Sequence, residues 1–309
     1  MVKRLAWGVA ALVIVAAIAV VVGVHLIDTP AVRAEIQARL SAALGGQIEW
    51  QALEVRLLPA PHGELQRVRI EIPGALSARA DDVDVYLRLW PLLRGRAEIA
   101  SVSVSRPEVR IAAAGKPQKE DTPFDPLAAY RAAVEPVARA LQKFAPDTQF
   151  RIEAAEIDLP AVPLRLRDLN ATASTSGDGV DLQVDAASNY WQRLRAKGRL
   201  AYADLSARAD VELDGLVVDR ELPAARLRGE VRTDAKTAIE VAAEGTLGTL
   251  FHAASAKLRL PATGAPHASA EISAADLAQA LAIARRKLSG LDAIESAEGR
   301  VSARVELVL

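Results

Sequence analysis

The chain has 309 residues with 38 basic and 39 acidic side chains, a net charge of −1; it lacks the cationic excess that neutralises a phosphate backbone, which argues against nucleic acid as a partner. It contains no cysteine, which excludes disulfides and thiolate-bound metals. Hydrophobic residues make up 51% but aromatics only 4%, a palette of Ala, Val and Leu that suits thin apolar surfaces better than a thick core, within a length that allows one elongated domain or two compact ones.

Leu5 to Ile27 is an apolar run of 23 residues whose only strongly polar member is His25. At about 1.5 Å per residue it extends roughly 35 Å, enough to cross a hydrocarbon core of about 30 Å. Lys3 and Arg4 precede it and Asp28 follows. The charge asymmetry predicts a cytoplasmic segment 1–4, a single transmembrane helix 5–27 with Trp7 near the cytoplasmic interface, and everything after Asp28 on the far side. Ala17-Ile18-Ala19 has the small-x-small form of a signal-peptide cleavage site. The apolar run nevertheless continues to Ile27, well past the usual 7–15 residues of a signal h-region, so an uncleaved anchor is expected.

Region 28–111 opens with an amphipathic helix over Ala31–Leu44. Val32, Ile36, Leu40 and Leu44 recur every four residues, Pro30 stands at its first turn and Gly45-Gly46 ends it. Its stripe is expected to pack on the β-domain. From about Ile48 the period changes from helical to alternating, the mark of half-buried strands. Val68-Arg69-Ile70-Glu71-Ile72 alternates, and Val83, Val85, Leu87 and Leu89 share one face opposite Asp82, Asp84, Tyr86 and Arg88. Residues 112–126, rich in Pro, Lys and acidic side chains, read as a solvated linker.

A helix over 127–145 comes next, with Asp125 as N-cap, Pro126 at its first position and the stripe Leu127, Tyr130, Val134, Val137, Leu141 and Phe144. Pro136 is expected to kink or split it. Alternation returns through 146–309. Val180, Leu182 and Val184 lie opposite Asp181, Gln183 and Asp185, and Val211 and Leu213 opposite Asp210, Glu212 and Asp214. Leu227 and Val231 lie opposite Arg228, Glu230 and Arg232; Ile239 and Val241, Leu258 and Leu260, and Val301 and Val305 repeat the pattern. Within this region a helix is expected over 274–288, with Ser273 and Asp276 as a capping box, Ile272 and Leu277 as a staple, and Arg285, Arg286 and Lys287 at its C-terminal end.

Strict alternation gives each strand one apolar and one charged face, which antiparallel sheets permit and doubly covered parallel sheets do not. The fold class expected is mostly β: an N-terminal transmembrane helix, then an elongated antiparallel sheet meandering through about a dozen strands, with two or three short amphipathic helices and no βαβ units. At about 4.8 Å per strand the sheet extends roughly 55–60 Å. Its apolar face must be covered by a second sheet, by curling, or by bound lipid.

Signs of catalysis are missing. His25, His62, His252 and His267 have no metal-ligand spacing, and no Gly-x-Ser-x-Gly, phosphate-binding loop or dinucleotide fingerprint appears. Gly177-Asp178-Gly179 reads as a hairpin turn. Trp50, Trp90 and Trp191 fall beside strand ends, where core packing is expected. The chain is therefore expected not to be an enzyme, with no catalytic residue, metal site or cofactor.

Several segments in order resemble the AsmA family of envelope proteins: the anchor, PAVRAEIQARLSAALGG from Pro30, QIEWQALEVRLLPAPHGEL from Gln47, VRI at Val68, and VDVYLRLWPLLRGRAEIASVSVSRPEVRI from Val83. Trp90-Pro91-Leu92-Leu93-Arg94-Gly95 and Arg106-Pro107-Glu108-Val109 stand at the places associated with the family. The resemblance covers about residues 1–111. Beyond Ile111 the charged linker replaces the Gly-rich turn with an Asn-Trp pair that the family leads one to expect. The resemblance implies a protein anchored in the inner membrane with its bulk in the periplasm, related to TamB and to the bridge-like lipid-transfer proteins. Its length makes it a short member, a fragment, or one section of a longer path.

The function expected is retention of phospholipid or other acyl chains in an apolar β-groove, in support of phospholipid transport and outer-membrane biogenesis. The groove would be lined by the strand residues named above, from Val83 to Val305. The alternative is a non-enzymatic scaffold that binds other envelope proteins at exposed sheet edges.

Overall fold

The computed structural model describes residues 46–56, 60–73, 76–94, 96, 98–111, 125–160, 163–217, 224–248, 251–276 and 299–308, together with 34, 37, 38, 41, 278 and 281. The cytoplasmic segment 1–4, the transmembrane helix expected over 5–27 and the linker residues 112–124 lie outside the described residues. So does most of the helix expected over Ala31–Leu44, of which Ala34, Gln37, Ala38 and Ser41 are helical. Among the described residues no helix is long and apolar enough to cross a membrane.

The chain is mostly β. Its strands are β1 (Gln47–Glu49), β2 (Ala52–Arg56), β3 (His62–Ile72), β4 (Leu76–Leu87), β5 (Ile99–Ser105) and β6 (Glu108–Ile111), then β7 (Gln149–Leu159), β8 (Leu164–Thr175), β9 (Gly179–Ser188), β10 (Arg193–Ala201) and β11 (Ala207–Leu216). They continue with β12 (Ala225–Thr233), β13 (Ala238–Leu247), β14 (Phe251–Pro261), β15 (His267–Asp276) and β16 (Arg300–Val308). All sixteen join one sheet. β1 and β2 lie end to end along β3, and β5 and β6 lie end to end between β4 and β7. From β7 onward each strand pairs with the next, antiparallel, as the alternation predicts.

Among the described residues the meander is broken once. β5 and β6 both pair with β7 in parallel, and a parallel pair needs a crossover connection. A helix spanning Pro126–Phe144 lies within that connection, so the described residues contain a βαβ unit where none was expected. Asp125 caps this helix as foreseen, its carboxylate accepting from the backbone N–H groups of Leu127 and Ala128 at 2.9 Å, with Pro126 in the first turn. The helix passes Pro136 without splitting.

Two other boundaries differ from expectation. The strand read as Asp82–Leu89 stops at Leu87, and Leu89–Leu93 forms a one-turn helix, α1, which makes the longer helix α2. The helix expected from Ala274 starts later, because Ala275 pairs with Val301 and Asp276 with Arg300. Ser273 and Asp276 are thus strand residues rather than a capping box; Ala278 and Leu281 are helical.

A lengthwise apolar face and its two halves

Cross-strand partners project from the same side of a sheet, so the register shows whether the apolar faces of separate strands join. They do. Leu53, Leu65, Val83, Val104, Ile152, Ala171, Val184, Ala196, Val211, Gly229, Ala243, Ala256, Ala270 and Val305 are successive partners from β2 to β16. A second row runs beside it through Val85, Val102, Phe150, Ala173, Leu182, Gly198, Ala209, Val231, Val241, Leu258, Ala268 and Leu307.

Leu213 and Leu227 belong to a third row, between Leu194 and Gly245. Val180, Leu200, Ala207, Thr233, Ile239 and Leu260 form a fourth at the other ends of these strands. Val301 pairs with Ala275. At about 4.8 Å per strand the rows extend on the order of 60 Å.

The opposite face is a lattice of charge. Asp181, Arg199, Arg208, Arg232, Glu240 and Arg259 are successive partners there. Ion pairs join the strands, among them Arg193 with Asp185 at 2.6 Å, Arg226 with Asp214 at 2.6 Å, and Arg259 with Glu240 at 3.4 Å. Glu230 accepts from Arg232 and also pairs with Arg208, and the Arg232 contact holds its carboxyl below the usual carboxylate range. Such exposed pairs add little stability singly; their effect is to keep this side wetted, so that the other side alone is available to apolar matter.

The apolar face is not uniform along its length. From β1 to β5 it is a dry core: Leu65, Val83, Val85 and Val102 are fully buried with Ile48, Trp50 and Ile70, and Leu53, Leu92 and Phe150 pack against them. From β9 onward the same rows are only partly covered. Exposure is 0% at Val85, 46% at Leu182 and 53% at Leu307. Between the two halves, β7 and β8 carry bulges, with Ala154 and Asp168 at positive φ and the Asn170 side chain accepting from the Ala154 N–H at 3.1 Å. Bulges of this kind bend and twist a strand locally.

This division sorts the residues expected to line a groove. Val83, Val85 and Leu87 are reassigned to closed core, since at 1%, 0% and 4% exposure they offer no free surface. Leu89 leaves the face altogether, because it opens α1. Val180, at the rim, is also buried. Leu182, Val184, Val211, Leu213, Leu227, Val231, Ile239, Val241, Leu258, Leu260 and Val305 lie on the face with part of their surface free. Trp50 packs in the core as expected, but Trp90 does not.

α2 lies across the hairpin ends at one rim of this face. The Tyr130 hydroxyl donates to the Leu205 carbonyl at 2.8 Å in the β10–β11 turn, and the Arg131 guanidinium donates to the Ala235 carbonyl at 2.5 Å in the β12–β13 turn. At its C-terminal end the Thr175 hydroxyl donates to the Ala145 carbonyl at 2.6 Å and accepts from the Thr148 N–H at 2.8 Å, all buried. Leu127, Ala133 and Ala138 are its buried contacts. Burial, with Asp204 nearby, pushes the Tyr130 phenol up to about 12. In the turn below, the Thr237 hydroxyl and the N–H groups of Thr237 and Lys236 hold the Asp234 carboxyl well below its usual range. Among the described residues no group of histidines and carboxylates could hold a metal ion.

The fold and this face define a class: one long, twisted sheet with a wet charged side and an apolar side, crossed at one rim by a helix. The chain belongs to the AsmA family, whose model matches residues 1–279 and so extends far beyond the resemblance over 1–111. No curated protein and no solved structure matches it.

Proposed function

We propose that the chain is an inner-membrane-anchored periplasmic protein of the AsmA type that holds lipid acyl chains on the exposed half of its apolar face and so supports phospholipid transport and outer-membrane biogenesis. The observation that carries this reading is the unbroken cross-strand apolar register from β9 to β16 on side chains that are only partly covered. A contiguous exposed apolar patch of this extent marks an interaction surface. Its width is set by strands of nine to eleven residues, and Gly198, Gly229, Ala243 and Ala256 stand in its two central rows.

Attraction of this kind is non-directional, worth about 0.8 kcal/mol per fully buried methylene, and it requires no bond to be made or broken. The experiment that tests it is native mass spectrometry of the full chain extracted from membranes in mild detergent. Phospholipid should copurify at one or more molecules per chain. A lipid-free spectrum overturns the proposal. The alternative, a scaffold for envelope proteins, draws on β16, which among the described residues pairs only with β15 and leaves one backbone edge open to strand addition. Site-specific photocrosslinking separates the two, with lipid adducts on the face in the first case and protein adducts along β16 in the second.

A further inference from the structure

α1 is built inside out. At about 100° per residue, Leu89, Trp90 and Leu93 fall within one arc of about 100°, and Leu92 lies about 60° beyond Leu89, at the edge of that arc. Leu92 packs against the closed core, whereas the other three are open to solvent. Their exposures are 52%, 72% and 68%. Isolated exposed apolar residues are ordinary, but three on one turn, including a tryptophan, are not.

The turn is held firmly. The Arg88 N–H donates to the Glu98 carbonyl at 2.8 Å, the Arg94 and Arg96 N–H groups both donate to the Pro91 carbonyl at 3.0 and 2.9 Å, and the Arg88 guanidinium reaches the Asp147 carbonyl beyond α2. The tip is therefore a fixed apolar knob. The stretch 88–98 carries three arginines, Arg88, Arg94 and Arg96, and one carboxylate, Glu98, which sits 3.9 Å from the largely exposed Arg96; Asp147 stands beside Arg88.

We infer that α1 is a membrane-docking tip: Trp90, Leu89 and Leu93 enter the interfacial layer of a bilayer while Arg94 and Arg96 engage anionic headgroups. Tryptophan favours the membrane interface, and an apolar wedge bordered by cations is how a surface-bound segment reads an anionic leaflet. The charge selects this occupant over a neutral or cationic protein surface. The tip projects from the closed half of the sheet, so docking there leaves the exposed apolar face unobstructed. The inference stands whether or not that face holds lipid.

The absence of native cysteine makes the test clean. The full chain carrying Leu93→Cys, labelled with an environment-sensitive fluorophore, is reconstituted in nanodiscs. Bromine-bearing phospholipid is placed either in the disc or in added vesicles, with about 30 mol% phosphatidylglycerol or none. A chain labelled through Lys197→Cys, on the charged face of β10, serves as the control. Quenching of the Leu93→Cys label is expected in at least one of the two bilayers when phosphatidylglycerol is present, several-fold stronger than at Lys197→Cys, and largely lost without it. The added substitutions Arg94→Gln and Arg96→Gln should weaken docking by about fivefold each. Quenching no stronger than at Lys197→Cys in either bilayer, or equal quenching with and without anionic lipid, overturns the inference.

Discussion

Replacing Val211 and Val241 with aspartate puts two carboxylates on the exposed half of the apolar face, two strands and about 10 Å apart, one in each of its central rows. An acyl chain lying on an open face is covered on one side, so each methylene keeps roughly half the full burial value, about 0.4 kcal/mol. A chain touching the face along some fourteen methylenes gains about 5–6 kcal/mol on that basis. The carboxylates retain their water, and about six methylenes can no longer lie flat. The loss is about 2.4 kcal/mol, or roughly 50-fold in occupancy.

The control is Ala242→Asp, which adds one carboxylate on the opposite, wetted face, where Ala242 pairs with Glu230 and Lys257. Lipid per chain, read by native mass spectrometry with circular dichroism to check that the sheet persists, should collapse in the double variant. It should change less than about twofold in the control. Undiminished lipid in the double variant, or an equal loss in Ala242→Asp, refutes the reasoning.

The division into a closed and an open half predicts unequal costs for the same truncation. Leu65→Ala should lower stability by about 2–5 kcal/mol and Leu182→Ala by less than about 1 kcal/mol, compared by denaturant unfolding. Thr175→Val removes the partner of the buried Thr148 N–H and the donor to Ala145; a loss of about 1–3 kcal/mol is expected, with exchange of the Thr148 amide accelerated. The Tyr130 phenol has its folded pKa raised to about 12 from an ordinary 10 by burial. Its contribution is therefore complete below pH 10 and is lost as pH rises toward 12. Phenolate absorbance should show a late-titrating group that disappears in Tyr130→Phe.

Alternation told most of the sheet. Val211, Val231, Val241 and Leu258 could be placed on one face from their spacing alone, because the two-residue period of a strand is local. Joining those faces into one surface depended on register, which short turns such as 176–178 fix between neighbours. The parallel pairing of β5 with β7 was not legible, since both strands alternate in the same way and only tertiary packing decides whether the intervening helix crosses over. Nor was α1: Val83, Val85, Leu87 and Leu89 keep an unbroken period of two, while the chain turns after Leu87 at Arg88. The exposure gradient also escaped the sequence, because Val85 and Leu182 have the same local pattern. What differs is the packing above them. The Ala270–Asp276 stretch carries good capping chemistry for a helix, yet backbone pairing with Ala303, Val301 and Arg300 prevails as far as Asp276.

The central claim, that acyl chains held on the sheet lie on the exposed half of its apolar face, is tested most directly without any substitution. Membranes containing the full chain are loaded with a phospholipid bearing a photoreactive group in its acyl tail and irradiated, and the adducts are mapped by peptide mass spectrometry. Adducts at Leu182, Val211, Val241 and Leu258, with none at Val85 or on the Arg208–Arg232 side, are the expected result. Adducts spread equally over both sides, or absent from β9–β16, would contradict the claim.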